Sequence, residues 1–114
     1  MKVSELQEHG FTALTLPDGD REIVGAYMGD LLSWVMAHGE EGMAWVTVQT
    51  HLNVIAVAVL SDMACVVLPE GIRMEAESLQ KARDEGMAVL TSPLTAYEIC
   101  GKLAAEGVPG KCRM

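Results

Sequence analysis

Two apolar tetrapeptides constrain this chain most. Cys65-Val66-Val67-Leu68 and Met87-Ala88-Val89-Leu90 carry no polar residue at any position. A strand with one wet face alternates apolar and polar side chains. An unbroken apolar run instead suits a strand covered on both faces, as in a parallel sheet. Between the two, Met74 to Glu85 reads as a polar-faced helix that packs through Leu79 and Ala82. Glu77 and Lys81 form an i, i+4 pair on it, and Gly86 supplies the stop.

The rest of the chain repeats this alternation. Lys2 to His9 reads as a short helix stopped by Gly10. Phe11 to Leu16 reads as a strand broken by Pro17-Asp18-Gly19-Asp20. Glu22 to Met28 reads as a second strand. Gly29-Asp30 opens a helix with Asp30 as its cap. Leu31, Trp34, Val35 and His38 form its i, i+3, i+4, i+7 stripe, and Gly39 ends it. Met43 to Gln49 reads as a strand, with Trp45, Thr47 and Gln49 on one face and Ala44, Val46 and Val48 on the other. Leu52 to Leu60 is ambiguous. Its β-branched residues favour a strand, with Thr50 to Asn53 as a hairpin loop. Its length, up to Met63, and its alanines favour a helix apolar all round and buried, the preferred reading. Ser92-Pro93 opens the last helix, or Thr95 and Glu98 do so one turn later as a capping box. Its stripe is Ala96, Ile99, Cys100 and Leu103, and Gly107 ends it. Strands alternating with helices give an α/β domain. The expected architecture is a three-layer α/β/α fold with a largely parallel sheet of about five strands. Residues 1–107 form the domain and 108–114 a C-terminal tail.

Composition bounds the function. At 114 residues a single domain is expected, burying roughly 65% of its unfolded surface. The hydrophobic share is 50% and the aromatic share 4%, so Val, Ala, Leu and Met must fill the core. Trp34, Trp45 and the methionines are expected there, with some methionines left for a dimer contact. Asp and Glu outnumber Lys and Arg by 16 to 8, a formal charge of −8. Nucleic-acid binding needs a basic patch and is excluded. Leu52 to Leu60 is too short to span a bilayer, and no long apolar core follows Lys2 as in a signal peptide. Cys65, Cys100 and Cys112 are odd in number and widely spaced, a poor disulfide framework. Reduced thiols in a cytoplasmic protein follow, with Cys65 and Cys100 as core residues. Cys112 lies between Lys111 and Arg113, cations that would lower its pKa, in a terminus prone to fray.

Open α/β sheets bind ligands outside the carboxyl ends of their strands. That edge would collect Asp30, Gln49, Thr50, His51, Asn53, Pro69-Glu70-Gly71, Thr91 and Ser92. Helix amides with Thr50 or Asn53 suit an anion, and His51 suits a donor, acid or base. The structural alternative has Thr50 or Asn53 capping the following helix, with His51 solvated. His9, His38 and His51 lie at no metal-binding spacing, so neither metal nor cofactor is expected. No P-loop, dinucleotide fingerprint or nucleophile elbow occurs. Asp18, Asp20 and Asp30 are turn formers and caps.

Asp20-Arg21-Glu22-Ile23-Val24-Gly25-Ala26 resembles the motif that names the DRTGG domain. Asp20, Arg21 and Gly25 match; Val24 stands for the threonine and Ala26 for the second glycine. Ala64 to Gly71 followed by Met87 to Thr95 is similar to the closing strand–helix–strand unit of DRTGG domains and of the N-terminal domain of HPr kinase/phosphorylase. The similarity spans roughly residues 1 to 106. It implies an α/β/α fold and the helix reading for Asn53 to Met63. It does not imply kinase activity, because in HPr kinase/phosphorylase the catalytic P-loop lies in the other domain. DRTGG domains occur beside CBS nucleotide-sensing modules, beside phosphotransacetylases and alone. The resemblance therefore implies a regulatory, ligand-sensing or assembly role.

The leading expectation is a non-catalytic module that forms a homodimer and regulates or docks onto a partner enzyme. The first alternative is a sensor of a nucleotide or anionic metabolite at the carboxyl edge. The second is a small enzyme with His51 as acid or base, disfavoured because no second reactive group stands beside it.

Overall fold

The computed structural model describes residues 1–110; Cys112 and its flanking cations lie outside the described residues. A 3-10 helix, Val3–His9, leads into strand β1, Thr12–Thr15. There follow β2 (Gly25–Met28), α1 (Leu32–His38), β3 (Met43–Val46), α2 (Leu52–Leu60) and β4 (Cys65–Leu68). The chain then continues through α3 (Ala76–Glu85), β5 (Ala88–Thr91) and α4 (Ala96–Ala105). The sheet order is β1-β5-β4-β3-β2, parallel except for β1 against β5.

All four residues of β3, β4 and β5 are buried, as the unbroken apolar runs require. Alternate residues feed two cores. Ala44, Val46, Cys65, Val67 and Leu90 pack against the 3-10 helix and α4 through Leu6, Ile99 and Leu103. Trp45, Val66, Leu68 and Val89 pack against α1, α2 and α3 through Val35, Ile55 and Ala82. The chain is therefore three-layered, with a five-stranded, mostly parallel sheet in the middle.

Local signals set the helix ends. Thr95 and Glu98 form a reciprocal capping box, so α4 starts at the later of the two expected points. Gly86 ends α3 in the left-handed region at φ 70°, where glycine carries no Cβ penalty. At the β1 edge the register slips between Ala13 and Thr15. Thr15 is buried there; its hydroxyl donates to Met87 O (2.7 Å) and accepts from Val89 N (3.0 Å). The side chain thus replaces ladder bonds that the bulge would leave unmade.

Several expectations are corrected. The second strand starts at Gly25; Glu22 makes only an isolated bridge to Lys2. The third strand stops at Val46, because the chain beyond it is tied to Asp30. Helix α1 buries only Val35, and Trp34, expected in the core, is 57% exposed. Periodicity gives a helix its stripe but not the direction that stripe faces. Helix α2 is a helix as preferred, yet not buried all round: Ala56 and Leu60 face outward. Lys81 pairs with Glu85 (3.7 Å) rather than Glu77. Part of the expected tail packs on the body: Val108 is buried, and Pro109 O accepts from Ala26 N (2.9 Å).

Two glycines separate packing demand from motif likeness. A Cβ at Gly39 would stand 2.4 Å from Met63 Cε and 2.9 Å from Val35 O. A Cβ at Gly25, the motif glycine, would meet Met43 and Pro109 O at an ordinary 3.5 Å. Gly39→Ala should therefore cost about 1–3 kcal/mol by overpacking. Gly25→Ala, whose Cβ meets only ordinary contacts, should stay within about 1 kcal/mol of wild type. Chemical denaturation of both variants checks the contrast.

Candidate functional site

The carboxyl edge is held together by its own polar groups. Asp30 does not cap α1; Leu31 occupies the cap position without a side-chain bond. Asp30 Oδ1 instead accepts from Thr47 Oγ1 (2.7 Å) and Val48 N (2.9 Å). Gln49 joins this cluster, its Nε2 donating to Asp30 O (3.1 Å). Trp45, fully buried, donates its indole N–H to Gly29 O (2.9 Å). These bonds tie the loop after β2 to the loop after β3.

His51 itself caps α2: its Nδ1 accepts from Asn53 N (3.1 Å), and both residues are exposed. Neither Thr50 nor Asn53 has that role. Thr50 turns toward α3, its hydroxyl donating to Glu75 (3.4 Å) and its carbonyl accepting from buried Ser78 Oγ (2.9 Å). Thr91 and Ser92 are buried and committed elsewhere. Thr91 Oγ1 lies 2.6 Å from Ile72 O, and Ser92 Oγ accepts from Leu94 N (3.1 Å). The structure thus brings Asp30 to Gln49 and His51 to Asn53. Thr91 and Ser92 stand apart, beyond β4 in the sheet order.

Among the described residues, clefts open along the opposite edge, at the amino ends of the parallel strands. One of them, about 250 Å³, lies between the turn after β1 and the starts of β4 and β5. Arg21, Asp62 and Glu85 are its charged lining residues, with Val3, Leu16 and Val59 among the apolar ones. Arg21 Nη1 donates to Asp62 Oδ1 (3.0 Å) and Met63 O (2.9 Å). Asp62 sits at φ 55°, a left-handed turn that Asp tolerates better than most residues. Arg21 thus fastens the segment before β2 to the turn between α2 and β4.

Asp20, its neighbour in the DRTGG-like motif, fastens the 3-10 helix. It accepts from Ser4 Oγ (2.6 Å) and Ser4 N (3.0 Å). The Ser4 hydroxyl and then the Ser4 amide hold its carboxyl below the ordinary value of 3.8. The partners Ser4 and Asp62, and Glu85 in the cleft lining, leave no local spacing to read in the sequence. Among the described residues no group of three His, Cys, Asp or Glu side chains is placed to hold a metal.

No family model matches this chain, and no curated protein does. A solved structure does resemble it: the CBS and DRTGG domains of the regulatory region of a Clostridium perfringens pyrophosphatase, complexed with the activator diadenosine tetraphosphate. The TM-score is 0.66 at 12% sequence identity, over 87% of this chain and 43% of that one. This chain is similar in fold to that regulatory region. The likeness agrees with the DRTGG resemblance carried by Asp20, Arg21 and Gly25. This chain spans less than half the length of that one.

Two predictions follow from the titrating groups. A carboxyl held low in the folded state stabilises above its unfolded pKa and loses that contribution as pH falls through the folded value. The Tm gap between wild type and Asp20→Asn should be open at pH 6 and close below the ordinary Asp value of 3.8. A gap constant with pH would contradict this role. The Cys65 thiol is fully buried in the sheet and pushed up to about 12 by desolvation. A thiol reagent at neutral pH should leave Cys65 unmodified in native protein, as peptide mass spectrometry would show, and modify it on unfolding.

Proposed function

We propose that this chain is a non-catalytic, cytoplasmic regulatory module that self-associates and acts on a partner enzyme. One observation carries the reading: an exposed apolar surface, sparse in charge, on a strongly acidic chain. Leu31 is 66% exposed and Trp34 57%. Val48, also exposed, is joined to the same loop through Asp30. Between Ile23 and Gly39 the only formally charged residue is Asp30, whose Oδ1 accepts two internal bonds. A chain of charge −8 repels its own copy, and least where charged residues are sparsest, as here. A twofold dimer would stack this surface on itself. A solvent-exposed tryptophan on a seven-residue helix is the kind of anchor such interfaces use. The fold shared with a regulatory region supports the regulatory part of the reading.

A second reading is a nucleotide or anion sensor. It is favoured by the activator bound in the similar structure. On it, Gln49, His51 and Asn53 are the exposed contacts at the carboxyl edge, beside Asp30 and Thr50. Thr91 and Ser92 would support the edge from within the fold.

Sedimentation velocity tests the first reading. The wild type should sediment as a dimer. Trp34→Glu should weaken the dimer about thirtyfold or more, the effect of losing a hot spot worth about 2 kcal/mol. Its Tm at low protein concentration should be unchanged, since Trp34 fills no core. A wild-type monomer at all concentrations would overturn the proposal.

A further inference from the structure

We propose that the amino-edge cleft is a binding site for a small monocarboxylate with a short aliphatic body, whose carboxylate replaces Asp62 on Arg21. The inference stands apart from the self-association reading, because the cleft shares no residue with the α1 surface.

Size selects first. At about 250 Å³ the cleft falls below the 300–1,000 Å³ usual for drug-sized ligands, so a few-carbon molecule fits and a dinucleotide does not. Charge selects next. Arg21 is the one cation lining the cleft, among the described residues. Its planar fork matches a carboxylate through two parallel N–H donors, yet its bonds to Asp62 and Met63 both leave from Nη1. Asp62 is therefore a one-point partner. Its side chain is 59% exposed, and an ion pair this exposed is worth little, so a better-shaped carboxylate can take its place. Arg21 keeps its bond to Met63 O through the exchange, which holds the guanidinium at the cleft. Val3, Leu16, Val59 and Met87 form the apolar part of the lining and would receive the aliphatic body. Glu85, held by Lys81 at 3.7 Å, lies on the same lining and disfavours a dianion such as a phosphate ester.

Titration of the 15N-labelled full chain with isovalerate, followed by amide chemical shifts, tests the site. Saturable shifts should appear at Gly19, Asp62 and Gly86. Isovaleramide, which lacks the charge, should leave those amides in place, and methyl phosphate should bind more weakly than isovalerate. Arg21→Gln should weaken isovalerate about tenfold or more, the loss of a charge-assisted contact. Asp62→Asn removes the internal competitor and should tighten isovalerate about two- to fivefold. Arg21 is also a tie in the fold, so should Arg21→Gln lose its folded spectrum, the gain in Asp62→Asn and the amide control decide. Absence of shifts at the lining amides, equal shifts from isovaleramide, tighter binding of methyl phosphate, or unchanged affinity in Asp62→Asn would each overturn the assignment.

Discussion

Burial of β3, β4 and β5 on both faces is the constraint on which the rest depends. Each strand has only four residues, and none has a residue to give to water. Such a sheet cannot stand on one helical layer, so helices must cover both sides. The sequence distributes them unevenly. Helices α1, α2 and α3 lie with the Trp45 core, and the 3-10 helix and α4 with the Leu6 and Ile99 core. The thinner second layer is then fixed by polar ties rather than by area. Asp20 takes two bonds from Ser4 in the 3-10 helix, and Ile23 N donates to Met1 O beside it.

Those ties recast what the DRTGG-like motif does here. Asp20 and Arg21 anchor one loop in two directions, to the 3-10 helix and to the turn between α2 and β4. Gly25 is not forced by space, since a Cβ there meets only ordinary contacts. Val24, standing where the motif has threonine, is exposed, and its backbone N donates to Gly42 O. A backbone bond of this kind does not depend on the side chain.

The elements that could be read from sequence are those whose signal is local. Unbroken apolar runs gave β4 and β5, and the Thr95–Glu98 spacing marked where α4 begins. Gly86 likewise marked where α3 ends. What could not be read depends on distant partners. The stripe of α1 is helical in period, but of its members only Val35 is buried; with Leu32 it packs on the Trp45 core, and Leu31 and Trp34 face outward. Asp30 has the chemistry of a helix cap. It binds Thr47 and Val48 instead because β3 ends beside it. His51 takes the cap that Thr50 or Asn53 was expected to supply, since Thr50 is drawn to Glu75 and Ser78 on α3. The expected site residues are thus all located, but as two groups separated by β4, with Thr91 and Ser92 buried.

Topology explains why the two edges differ. In a doubly wound sheet a crevice opens at the carboxyl edge where strand order reverses, because adjacent crossovers leave for opposite faces. Here β2, β3, β4 and β5 are neighbours in sequence order, with α1, α2 and α3 all on one face. No such divergence occurs among them. The loops after β2 and β3 can therefore close on each other through Asp30, Thr47 and Gln49. The amino edge has the opposite geometry. The β1 turn at Leu16 and Pro17 meets the turns that enter β4 and β5, and the cleft lies between them. The antiparallel β1 beside β5, the last of four parallel strands, thus gives the amino edge a cleft, where parallel-sheet reasoning does not look.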